Sequence, residues 1–318
     1  MLNSNAVVNR PFTPERIFYL AICALVALGA VRSARATENG ASTFPVGVET
    51  VMTGMYPHPG KAMFYEYTAF YEANKFLNGQ GQSAFPEFKL RVFATAIKYS
   101  ETWHYKFLGG NLNSNIALPI IYQQLHVVPG KFEKYSIGNV DIVPVALVYH
   151  RELAHWYCEA DAFMPGTAYS QNDVLNIGQH NLALGPVCGI TILPNHGKTE
   201  FSARNTYLFN GPDRNTKYHS GNEYFTEFNF AQALSKKAAI GLNGFIYQQT
   251  TDDKLNMAVF QSGFRGRDLG IGPQLRFNLP HGGFAFKYLR DTLVQNKPQG
   301  NAFWFQIAVP FPAHVTKN

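Results

Sequence analysis

From Asp268 to Phe311 the chain alternates. Leu269, Ile271, Pro273, Leu275, Phe277 and Leu279 are apolar at every second position, with Gly270, Gly272, Gln274, Arg276 and Asn278 between them. A period of two with one apolar and one polar face marks strands whose two sides meet different surroundings. His281, Gly282 and Gly283 make a turn; Phe284, Phe286 and Tyr288 resume the apolar face with Lys287 among them. A last strand carries Phe303, Phe305, Ile307, Val309 and Phe311 at every second position. Such a face packs against a second sheet in a soluble sandwich. In a closed barrel it meets lipid, while the polar face lines a lumen.

The connections separate the two. Alternating segments fall near 61–76, 88–106, 114–127, 137–149, 153–163, 180–193, 199–209, 222–234, 238–249, 268–279, 283–291 and 301–311. Links at 150–152, 194–198, 235–237 and 280–282 are short, and those at 164–179, 210–221, 250–267 and 292–300 are longer. Tight turns at one end and longer loops at the other describe an outer-membrane barrel, whereas Greek-key crossings give no such rhythm. Aromatic residues make up 14% of the chain, many near strand ends, as interfacial girdles require. The sequence therefore predicts an all-β fold, an antiparallel transmembrane β-barrel of the outer-membrane type with about 12 strands, over residues 61–311. Phe311 closes an alternating final strand of the kind the barrel-insertion machinery engages, and a tail, 312–318, follows it.

The N-terminus is of another kind. Arg10 and Arg16 precede an apolar run, Ile17 to Val31, and then Ala34-Arg35-Ala36. This describes an export signal over residues 1–36, cleaved after Ala36; an uncleaved anchor is the other reading, but the run is shorter than the ~20 residues a span needs. Residues 37–60 are rich in Gly and Pro. They are a lead-in that either tethers at the periplasmic mouth, where both ends of the mature chain are placed, or folds into the lumen.

Several function classes drop out. The sequence contains no G-x-S-x-G elbow, phosphate loop or dinucleotide fingerprint, and no C-x-x-C or H-E-x-x-H metal spacing. No enzyme, cofactor or metal site is expected. A net charge of +6 without a basic run gives no reason to expect nucleic acid. Cys158 and Cys188 fall at the same parity on adjacent strands, so they either form a disulfide or remain two small unpaired residues. Parity also turns Glu66, Arg91, Glu227, Asn229, Gln274, Arg276, Lys287 and Gln306 inward, because lipid exposure of Arg or Lys costs about 2–4 kcal/mol at the midplane. Of these, Glu66, Arg91, Glu227, Gln274, Arg276 and Lys287 are the expected lumen lining. Phe64, Phe70, Phe225 and Phe245 are placed inward with them, a surface suited to an apolar aromatic; a one-residue slip would turn them out.

Three blocks resemble the outer-membrane family named for the MetA pathway of phenol degradation. The first is Phe44-Pro45-Val46-Gly47-Val48-Glu49-Thr50-Val51, with Gly54-Met55 and Phe64-Tyr65-Glu66-Tyr67 after it. The second is Tyr218-His219-Ser220-Gly221-Asn222-Glu223-Tyr224. The third runs from Tyr247-Gln248-Gln249-Thr250-Thr251-Asp252-Asp253 through Gly266-Arg267 and Leu269-Gly270-Ile271-Gly272-Pro273-Gln274 to Lys287-Tyr288. The resemblance implies a bacterial outer-membrane transporter that admits small hydrophobic, aromatic solutes passively, with outer-membrane lipid and the insertion machinery as partners. The alternatives are a closed barrel that works through its extracellular loops and, further off, an outer-membrane enzyme.

Overall fold

The computed structural model describes residues 40–311 except 167 and 214. The expected export signal at 1–36 and the expected tail at 312–318 lie outside the described residues. The strands are β1 (Lys61–Leu77), β2 (Phe88–Phe107), β3 (Gly110–Val127), β4 (Gly130–Ile137), β5 (Asp141–His150), β6 (Ala154–Phe163), β7 (Ala183–Ile192), β8 (Thr199–Asn210), β9 (Tyr218–His219), β10 (Glu223–Ala233), β11 (Ala238–Gln249), β12 (Lys254–Leu255), β13 (Ala258–Val259), β14 (Arg267–Leu279), β15 (Gly282–Gln295) and β16 (Lys297–Phe311). All pairings are antiparallel. Neighbours run β2-β1-β16-β15-β14-β11-β10-β8-β7-β6-β5-β3, and β2 also pairs with β3, which closes the ring. β4 and β5 share one place in the wall, pairing with the upper and lower parts of β3. The result is a closed 12-strand barrel. β9, β12 and β13 form a small separate sheet within the long loops.

Period-two chemistry builds this wall. Along β7, burial alternates at every residue, with Ala183, Val187 and Thr191 inside and Leu184, Ile190 and Ile192 outside. Closure pairs every backbone group that an open edge would leave bare in lipid. Among the described residues no helix is long and apolar enough to cross a membrane; strands do the crossing. Cys158 and Cys188 stand opposite each other in register, their sulfurs are bonded, and both side chains point outward.

Short turns gather at one end, at 108–109, 151–153, 193–198, 234–237 and 280–281. Longer loops, 78–87, 164–182, 211–222 and 250–266, gather at the other. Two expected connections differ. Residues 292–300 are not a loop, since only Asn296 separates β15 from β16, and 128–129 is a tight link because 130–137 continues the wall as β4. The lead-in also differs from a periplasmic tether. Gly40 lies at the loop end, where the Lys297 ammonium donates to its carbonyl at 3.1 Å. From there the chain descends inside the barrel to Gly60, whose amide donates to the Thr102 carbonyl at 2.7 Å, and β1 begins.

A lumen filled by residues 40–60

The descending segment has no strand periodicity, so its polar groups must find partners on the wall. They do so on every side. The amides of Gly47 and Glu49 donate to Glu227 Oε1 at 2.8 and 3.0 Å, and that of Met52 to Glu200 Oε1 at 2.8 Å. The Gly54 amide donates to Thr191 Oγ1 at 2.9 Å. Lys287 Nζ donates to the carbonyls of Gly47 and Val48 at 2.9 and 2.6 Å. The Thr43 hydroxyl meets Glu223 at 2.6 Å and Tyr56 donates to Glu159 at 2.8 Å. Gly54 has no room for a side chain: a Cβ there would lie 2.3 Å from the His155 carbonyl oxygen and 2.5 Å from the Thr191 nitrogen.

An ionic cluster sits at the centre. Arg204, 1% exposed, reaches Glu49 at 3.2 Å, Asp161 at 3.0 Å and Glu227 at 3.2 Å, and donates to the Tyr157 hydroxyl. Lys98 reaches Glu49 at 2.7 Å. A charge buried alone would be costly, and here each cation is met by carboxylates on neighbouring walls or on the segment. Burial pushes the Glu49 carboxyl up, but Lys98 and Arg204 outweigh it and hold it down at about 2. Glu49 therefore remains an anion that fastens the segment between β2 and β8.

An aromatic cluster lies beside it. The Phe44 ring stacks on Phe225 at 5.2 Å, meets Phe163 edge-on at 6.0 Å, and lies 4.4 Å from the Arg204 guanidinium. Phe245, Tyr247, Leu289 and Trp304 continue this buried core inside the wall.

Four of the six expected lining residues face the lumen. Glu227 and Lys287 hold the segment, as above. Arg276 lies 3.5 Å from Glu200. Gln274 is buried, and among the described residues neither polar atom of its amide has a hydrogen-bond partner. Glu66 and Arg91 point the other way. On β1 the inward positions are taken by Tyr65, Tyr67 and Tyr71, whose hydroxyls reach Met55, Glu49 and Asp291, so Glu66 faces out and accepts from the Thr68 and Thr95 hydroxyls. Arg91 pairs with Glu72 at 2.9 Å on the outer wall. Phe64 and Phe70 face outward with them, while Phe225 and Phe245 face inward. The cause is chemical: a tyrosine is apolar in a parity count yet needs a partner for its hydroxyl. The central cations Lys98 and Arg204 were missed. Their signal was available in the alternation of Ser202, Arg204 and Thr206, and of Lys98, Ser100 and Thr102.

The family described as "Putative MetA-pathway of phenol degradation" matches residues 73–307. Among solved structures, the COG4313 outer membrane channel from Pseudomonas putida F1 superposes with a TM-score of 0.70 at 11% identity, over 84% of this chain and 99% of that one. The NanC porin gives 0.44 at 10% identity, over 77% and 98%. The translocator domain of the autotransporter NalP from Neisseria meningitidis gives 0.45 at 9%, over 94% and 100%. No curated protein matches the sequence. Fold and family place the barrel in the bacterial outer membrane.

Proposed function

The chain belongs to the MetA-pathway phenol-degradation family, and we propose that its barrel admits small hydrophobic compounds, aromatic ones above all, by passive diffusion along the lumen. One observation carries this reading: the lumen already holds an aromatic ring. Phe44, on a segment that is not part of the wall, occupies a slot between Phe225 and Phe163 under the Arg204 guanidinium. Offset and edge-on ring contacts and a cation over the ring face favour any flat aromatic there, and a sugar would gain none of them. Because residues 40–60 fill the lumen, passage requires the segment to shift, and Phe44 then vacates a site shaped for an incoming ring.

Glu227, Lys287, Arg276 and Gln274 would line the path once the segment shifts. Influx of phenol and of a sugar of similar size into vesicles carrying the refolded protein tests the reading. Phenol should enter faster than into protein-free vesicles and faster than the sugar. Equal entry with and without folded barrel would refute the channel. It would favour the second reading, a closed barrel acting through loops 164–182 and 250–266, which the density of bonds around the segment supports.

A further inference from the structure

We propose that the outer wall at the loop end of β1, β14, β15 and β16 binds the phosphorylated sugar headgroup of an outer-leaflet glycolipid. The lipid-facing side of this wall carries an aromatic row. Tyr122, Phe93, Phe70, Phe303 and Tyr288 follow one another in register across β3, β2, β1, β16 and β15, all facing out. Because barrel strands are tilted, the row climbs across the wall, and its aromatic residues nearest the loops stand where hydrocarbon gives way to headgroups. Short turns belong to the periplasmic side of outer-membrane barrels, so this row, towards the longer loops, lies in the outer leaflet.

Of the next outward positions towards the loops, Arg91, Glu72 and Arg290 are charged. Two residues on from Tyr288 stands Arg290, and two on from Phe93, on the loop side, stands Arg91. Further out are Lys89, Lys75 and Arg267. Lys89 and Arg91 are already answered by Glu72, at 3.3 and 2.9 Å. Lys75, Arg267 and Arg290 have no carboxylate within ion-pair distance among the described residues, and all three are exposed. The corresponding outward positions on the far wall, Ala162, Leu184, Phe209, Tyr224 and Gln248, bear no charge. Among the described residues these cations therefore share one wall, with Lys131 on β4 beyond β3 standing outside the group.

Shape agrees with charge. A cleft of about 430 Å³ opens at this rim, and Lys75, Arg267, Ser83, Gln295 and Gln299 are among its lining residues. Two cations flanking hydroxyl and amide groups match a sugar that carries phosphate: guanidinium and ammonium take the phosphate, and the amides take the hydroxyls. The aromatic row beneath receives the acyl chains. A free anionic solute would gain nothing from that row, which is why the occupant is a lipid.

Native mass spectrometry of the detergent-solubilised barrel, refolded without lipid, tests this. Bisphosphorylated lipid A, the same lipid with both phosphates removed, and phosphatidylglycerol are the probes. Lipid A should be retained at least about tenfold better than either of the others. The Lys75→Gln/Arg267→Gln/Arg290→Gln variant should lose that preference while keeping heat-dependent gel mobility. A Lys131→Gln/Lys198→Gln control should keep it. Equal retention of dephosphorylated lipid A, equal retention of phosphatidylglycerol, or full retention by the folded triple variant would each overturn the proposal.

Discussion

Replacing Glu49 with glutamine should loosen the lumen segment while leaving the wall intact. The carboxylate takes Lys98 at 2.7 Å and Arg204 at 3.2 Å, and Tyr67 donates to it at 3.4 Å. Glutamine keeps the size and removes the charge. A carboxyl held at about 2 instead of its ordinary 4.5 favours the docked segment by roughly 3 kcal/mol. The group is depressed when docked, so this contribution is full above the ordinary value and is lost as pH falls through it towards the docked one. Loss of about 3 kcal/mol corresponds to roughly a hundredfold change in the docked-to-free ratio. Single-barrel conductance in planar bilayers reads this directly. The variant should open about a hundredfold more often than wild type at neutral pH, and wild type should open more often as pH falls below the ordinary carboxyl range. Opening within about twofold of wild type in the variant, or a wild type that opens more as pH rises, would refute the reasoning.

Other perturbations of the segment have distinct readouts. Lys287→Met removes the donor to the Gly47 and Val48 carbonyls, leaving acceptors whose burial without partners costs about 1–3 kcal/mol; phenol influx should rise severalfold. Gly54→Ala places a Cβ 2.3 Å from the His155 carbonyl oxygen, so the segment must move and limited proteolysis within 40–60 should accelerate. Arg204→Met strips the cation from Asp161 and Glu227 as well as from Glu49. A loss of about 3–5 kcal/mol is expected, seen as a lower temperature of gel-mobility conversion; an unchanged temperature would argue against the buried cluster.

Alternation made the barrel legible because lipid on one side and a polar lumen on the other impose a two-residue period on every wall strand. It identified β14, β15 and β16 from the alternating series Leu269 to Leu279, Phe284 to Tyr288 and Phe303 to Phe311. It failed where both faces carry aromatic residues. In β1, Tyr65, Tyr67 and Tyr71 alternate with Phe64 and Phe70, and only the hydroxyl needs of the tyrosines decide which set faces inward. The segment at 40–60 was unreadable for a different reason. Its fold is set by acceptors and donors on nine wall strands, among them Glu227, Thr191 and Lys287, and no local period encodes those meetings. Glu49 reads as one acid in a Gly/Pro-rich stretch until Lys98 and Arg204 are brought to it.

The central claim is that aromatic solutes pass through the lumen only when residues 40–60 shift. Thr50 and Asn243 mark where to test it, since their side-chain oxygens lie 3.2 Å apart between the segment and β11. A Thr50→Cys/Asn243→Cys barrel can be closed with a short dithiol-reactive linker, the native pair Cys158 and Cys188 being already bonded. Phenol influx into vesicles should be rapid before linking and fall to the protein-free rate after it. Influx unchanged by the linker would contradict passage through the lumen.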